Sequence, residues 1–169
     1  MPHVHDRSDE LGQLVDDERL DDLLVAVTLG DIAEAWHCYH RREARSYHDP
    51  DWWAIEFWMG LAFEREDVVR AGLMALIDSS EDEYLGHVGA GPLEAFVSED
   101  ESRMRWLEKT AAISPRLRHA LRNVYCWGGM QDRYCERLER AAGGPLPRPK
   151  WPHPGSLPPT SAQDGLSTG

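Results

Sequence analysis

The chain has 169 residues, 41% of them hydrophobic and 28% charged, and its 18 Lys+Arg stand against 30 Asp+Glu for a formal charge of −12. That length suits one domain with a sizeable core, and the apolar content without a short repeat excludes a fibrous, collagen-like or wholly disordered chain. The acidic balance argues against a general nucleic-acid binder, because phosphate backbones demand a net basic face.

The first residues, Met1 to Glu10, lack a basic segment followed by an apolar run, so they do not read as a secretory signal. Residues 1–13 are expected to be flexible. Helical periodicity then dominates. Leu20, Leu23, Leu24 and Val27 share a face, as do Val69, Leu73, Leu76 and Ile77, and Leu117, Leu121, Val124 and Tyr125 repeat the spacing. With the punctuating residues, the pattern predicts helices near 14–29, 31–46, 50–62, 65–78, 81–88, 92–98, 101–113, 115–126 and 129–141. Gly30 is placed to end the first in left-handed geometry, and Asp31 with Glu34 to cap the second. Pro50, Pro92 and Pro115 each stand where a proline can open a helix, and Ser80 precedes the acids Glu81, Asp82 and Glu83, which suit a helix N-terminus. No alternating strand pattern or hairpin signal is present. The expected fold is all-α, a compact bundle or short stack of antiparallel helix hairpins over residues 14–142. From Gly143 the composition turns to Pro, Gly and Ser, which cannot build a core, so 143–169 is expected to be a disordered tail.

No stretch approaches the roughly 18 uninterrupted apolar residues of a membrane span. The nearest, Trp52 to Phe63, is cut by Glu56. Cys38, Cys126 and Cys135 are odd in number and unrelated in spacing, which points to no disulfide framework and to a reducing cytoplasm. Sixteen Arg against two Lys suggests a high-GC bacterial genome. Charge is uneven: residues 1–31 and 65–100 each carry net −7, while 101–142 carry net +4. Opposed regions of this kind could pair head to tail or hold a charged partner, or could be solvated helix faces.

Seven aromatic residues, Trp36, Tyr39, Trp52, Trp53, Phe57, Trp58 and Phe63, fall within 28 positions. They read either as core or as an aromatic pocket or interface, since Trp and Tyr bring large area at low entropy cost. On a helix through this segment Trp53 and Phe57 share one face, and Trp52, Glu56 and Met59 another. A buried Glu56 would suit proton transfer. The competing reading is that it meets solvent, or pairs with Arg42 or Arg116. His37 and His40 share a helix face, but no His-Glu-x-x-His or paired Cys-x-x-Cys accompanies them, so neither a metal nor another cofactor is expected. Nucleotide-loop and esterase motifs are missing as well, and no catalytic residue is assigned. The residues singled out as a candidate pocket or interface are Trp36, Tyr39, His40, Trp52, Trp53 and Glu56. Gly89, Gly91, Pro92 and Glu94 are read as a structural turn: the glycines allow close approach, the proline opens a helix and Glu94 complements its dipole.

Four blocks carry a family resemblance: Ala35-Trp36-x-x-Tyr39, Asp51-Trp52-Trp53-Ala54, Gly89-Ala90-Gly91-Pro92-Leu93-Glu94, and Ser114-Pro115-Arg116-Leu117-Arg118-x-Ala120-Leu121. Over about residues 32–127 the chain resembles a bacterial domain of unknown function, family 6869, with the glycine block its most specific part. The resemblance implies an all-helical domain without an established activity, so it carries over no catalytic residue. The acidic N-terminal helix, the last helix and the tail lie outside it. The leading functional expectation is a non-enzymatic protein-interaction module, in one version an immunity- or antitoxin-like neutraliser whose partner is another protein with a basic surface, and neither nucleic acid nor membrane. The alternative is a small-ligand-binding protein or enzyme with a pocket between the aromatic-rich helices.

Overall fold

Apolar spacing of three and four residues becomes helix throughout the residues described by this computed structural model, 7–126 and 130–148, and no strand occurs among them. In chain order the helices are α1 (Ser8–Asp16), α2 (Leu20–Ala26), α3 (Leu29–Arg41), α4 (Trp52–Met59), α5 (Glu66–Ser79), α6 (Leu85–Val88), α7 (Glu94–Phe96), α8 (Glu101–Ile113), α9 (Pro115–Leu121) and α10 (Asp132–Ala142). Tight 3-10 turns cover Leu61–Glu64 and Asp82–Tyr84, and a π-turn at Gly89–Leu93 joins α6 to α7. The fold is all-α, as the periodicity predicts. Helix α3 lies along α5, α4 packs on α1 and α3, and α8, α9 and α10 pack together. One contiguous core links Leu11 and Leu23 at the N-terminal end through Trp36, Phe57 and Leu73 to Leu107, Leu121 and Leu138.

The N-terminal region departs from expectation. Residues 8–13, read as flexible, form most of α1 and bury Leu11 completely. The helix expected over 14–29 breaks at 17–19, where Glu18 takes φ 56. Glu18 N–H donates to Val15 O and Arg19 N–H to Leu14 O, closing α1 in the manner usually reserved for a glycine. The break lets α1 and α2 turn their apolar sides onto the same core, which offsets a left-handed cost of about 1–2 kcal/mol.

Several caps also fall elsewhere. Thr28 opens α3: Asp31 N–H donates to Thr28 Oγ1 at 3.1 Å and Thr28 N–H to Asp31 Oδ2 at 2.8 Å, a reciprocal box that leaves Gly30 inside the first turn instead of at a helix end. Pro50 does not open α4, because Asp51 N–H donates to Asp49 Oδ1 and holds residues 49–51 in a turn. Arg42 grips both carboxylates of that turn, reaching Asp51 Oδ2 at 2.7 Å and also pairing with Asp49. Ser80 ends α5, its hydroxyl on Leu76 O, and Glu81 stands before the next turn. Ser114 and Pro115 behave as expected, Ser114 Oγ accepting from Leu117 N–H.

Gly89, Gly91, Pro92 and Glu94 do not begin a new helix, since the chain stays helical from Leu85 to Phe96. Proline removes a backbone donor, and the π-turn around it absorbs the missing bond. The two glycines differ. A Cβ on Gly89 would lie 2.2 Å from Ala120 O, so α6 can meet α9 only without a side chain there, whereas a Cβ on Gly91 meets nothing within 4 Å. Glu94 does not cap; its Oε2 accepts Tyr125 N–H at 3.1 Å and ties the end of this segment to the chain beyond α9.

Residues 143–148, read as the start of a disordered tail, are held in place. Gly143 takes φ 73, and the bonds Gly143 N–H to Arg140 O and Gly144 N–H to Glu139 O close α10. Leu146 is buried, and Cys126 N–H donates to Pro147 O at 3.1 Å. The rest of the expected tail, 149–169, lies outside the described residues.

Gly89→Ala is expected to lower unfolding free energy by about 2–3 kcal/mol or more, because backbone on two helices must separate. Gly91→Ala should be neutral or slightly stabilising. Urea unfolding of the two variants beside the parent chain measures both.

Candidate interaction groove and aromatic cleft

The aromatic residues divide between interior and surface. Trp36, Trp53 and Trp58 are 2%, 2% and 4% exposed and Phe57 is fully enclosed, so these rings are core. Trp52 and Tyr39 are half-buried, with ring centroids 5.6 Å apart. Helix α4 is apolar on nearly every side, and burial of Trp53, Ala54, Phe57 and Trp58 turns Trp52, Glu56 and Met59 toward its outer side. The six singled-out residues therefore do not meet in one site.

Trp52, Trp53 and Glu56 line a groove of about 440 Å³ between α4, α1 and the turn at 47–50. Asp9 and Asp16 of α1 face them across it. A second hollow, of about 480 Å³, shares Asp16, Trp52 and Glu56 and adds Glu18 and Glu64. Asp9, Asp16, Glu18, Glu56 and Glu64 form no ion pair among the described residues, and no lysine or arginine lines either hollow. Arg42 and Arg116, the partners considered for Glu56, are committed elsewhere: Arg42 to Asp49 and Asp51, Arg116 to Asp82 and to the carbonyls of Ile77 and Ser80. Glu56 is thus a partly exposed carboxylate beside an indole, in a channel of negative charge. The Trp53 indole N–H at its floor is buried without an acceptor among the described residues. Asp9 falls in the segment 1–13 expected to be flexible, and Asp16 in a helix expected to begin only at 14, so the two are not placed on one face by the sequence reading. Their i,i+7 spacing on one helix face is the signal that could have found them.

Trp36 and His40 belong to a different cleft, about 450 Å³, between α3, α4 and the π-turn. The His40 ring stacks on Trp36 with centroids 3.7 Å apart and planes 25° apart. His40 Nδ1 lies 2.9 Å from Trp36 O, so Nδ1 carries the proton and Nε2 keeps its lone pair. Burial lowers the His40 pKa to about 4, and nearby His87, 5.5 Å away between ring centroids, pushes in the same direction. Gly91, Pro92, Ile55 and Met59 complete an apolar wall.

His37, grouped with His40 by spacing, turns the other way, into α5. The hydroxyls of Ser79 and Ser80 donate to Ala75 O and Leu76 O, leaving their oxygens to accept from His37 Nε2 at 3.2 and 3.4 Å. Its Nδ1 is buried without a partner among the described residues. Burial holds His37 below the usual histidine pKa, with Arg41 adding to the effect. Among the described residues no three His, Cys, Asp or Glu side chains converge as metal ligands.

Both histidines are more basic in the unfolded chain than in the folded one, so folding excludes protons. Their contribution is complete above pH 6.5 and is lost as pH falls toward 4. His40 alone accounts for a loss on the order of 2–3 kcal/mol across that window. Urea midpoints measured from pH 7 to 4 should fall more steeply for the parent chain than for His40→Gln.

No family model, curated protein or solved structure matches this chain.

Proposed function

We propose that this chain is a non-enzymatic protein-interaction module that engages a basic segment of its partner along the α1–α4 groove. The observation that carries the reading is the set of five carboxylates, Asp9, Asp16, Glu18, Glu56 and Glu64, that form no ion pair among the described residues and lie around Trp52 in hollows lined by no described lysine or arginine. A guanidinium or ammonium group entering it gains charge complementarity and the face of an indole, while the aliphatic part of its side chain covers apolar wall. An immunity- or antitoxin-like neutraliser in a bacterial cytoplasm is the version that suits a small acidic chain with three free cysteines. The resemblance to the family of unknown function adds no catalytic residue to this picture. No helix among the described residues is long and apolar enough to cross a membrane.

A second reading, a small-ligand-binding protein, rests on the Trp36–His40 cleft, where a flat apolar wall meets a single open lone pair.

Affinity capture from native lysate on the immobilised full chain should recover a stoichiometric partner that is lost as salt rises. Asp16→Asn and Glu56→Gln should each weaken binding about two- to fivefold, and Trp52→Ala should weaken it further. Glu136→Gln, an exposed carboxylate on α10, should leave binding unchanged. Recovery of no stoichiometric partner at any salt, or equal retention by the groove variants, overturns the reading.

A further inference from the structure

The cleft between α3, α4 and the π-turn, about 450 Å³, is roomy enough for a molecule of two fused rings and has no lining residue in common with the 440 Å³ groove between α1 and α4. Among the described residues its wall carries no Asp, Glu, Lys or Arg, so a charged molecule entering it would lose water without gaining a counter-charge. His40 is fixed there as an acceptor. Trp36 O can only accept, so His40 Nδ1 donates to it over 2.9 Å, and Nε2 keeps a lone pair with no partner among the described residues. The stack on Trp36, centroids 3.7 Å apart, holds the ring in that pose. Burial lowers the His40 pKa to about 4, so the ring is neutral and the lone pair open at pH 7.

The π-turn supplies another wall, and such turns within helices recur at functional places. Its two glycines have different reasons to be there. Gly89 is required by packing, since a Cβ would lie 2.2 Å from Ala120 O. Gly91 is not, since a Cβ there meets nothing within 4 Å. Glycine within a helical segment is destabilising relative to alanine, so packing does not account for residue 91. What Gly91 does is leave bare backbone on the cleft wall beside the ring of Pro92, where a flat molecule can approach closely. We propose that this cleft binds an uncharged, flat aromatic molecule bearing an O–H or N–H donor, with the donor meeting His40 Nε2 and the ring lying along Gly91 and Pro92. Ile55 and Met59 of α4 add apolar contact. The inference rests on the small-ligand reading of this cleft and is independent of a partner in the α1–α4 groove.

The test titrates the full chain at pH 7 with 2-naphthol, with 2-methoxynaphthalene, which lacks the donor, and with 2-naphthoate, which is charged, following backbone amide shifts by NMR. The expected result is saturable shifts at Gly91 and Ala95 with 2-naphthol, binding about fivefold weaker for 2-methoxynaphthalene, and none for 2-naphthoate. In His40→Phe, which keeps a ring against Trp36, 2-naphthol should fall to the affinity of 2-methoxynaphthalene. Gly91→Leu should abolish binding of both. Equal affinity of the two neutral probes, tighter binding of 2-naphthoate, or an unchanged preference in His40→Phe overturns the proposed ligand class and leaves the small-ligand reading standing. Absence of saturable shifts at the cleft with all three probes overturns both, and the comparison of probes on the parent chain does not depend on a variant folding.

Discussion

The burial of Trp53 and Phe57 on one side of α4 is the constraint on which the functional surface depends. Helix α4 has almost no polar side of its own, so hydrophobicity alone leaves its rotation undetermined. Contact with α1 and α3 settles it: Trp53 and Phe57 go where two neighbours can enclose them, and each enclosed aromatic is worth about 1.5–3 kcal/mol over an exposed one. Trp52 and Glu56 then face outward by geometry, and α1 stands opposite them. The groove is what remains between two helices whose better apolar sides are turned inward.

Charge follows from the same packing. Part of the positive charge of residues 101–142 is paired across to residues 65–100, Arg103 with Glu66 and Arg116 with Asp82, while Arg137 pairs with Glu101 and Glu108 inside its own segment. The acids of 65–100 are thus partly neutralised by the basic segment, at Glu66 and Asp82. Near the N-terminus the cations take acids outside the groove, Arg7 with Glu10, Arg19 with Asp22 and Arg65 with Asp21. Of the groove's carboxylates Asp49 is paired with Arg42, while Asp9, Asp16 and Glu56 keep their field because no cation among the described residues pairs with them. Exposed pairs of this kind contribute little to stability, so their main effect is on where negative potential stays open.

Much of this was legible in the residues. Leu73, Leu76 and Ile77 on one face announce α5, Ser114-Pro115 announces the start of α9, and the clustered rings announce a core. What escaped reading depended on partners remote in sequence. Glu18 adopts a conformation that no local signal marks, because only the shared core of α1 and α2 compensates it. Thr28 took the cap expected of Asp31 through a bond that either residue could have made. Leu146 lies in a proline-rich stretch that cannot form a core, yet it is buried by elements folded before it in the chain.

The sequence by itself determined that this chain is all-α, where most of its helices run and which rings are candidates for the interior, because a 3.6-residue period and the reluctance of apolar area to meet water are local properties. Only the tertiary structure decided that Glu56 faces Asp16 across a groove and that His37 and His40 part company from one helix face. Those are relations between elements, and they follow from how enclosed surfaces fit, which no spacing along the chain encodes.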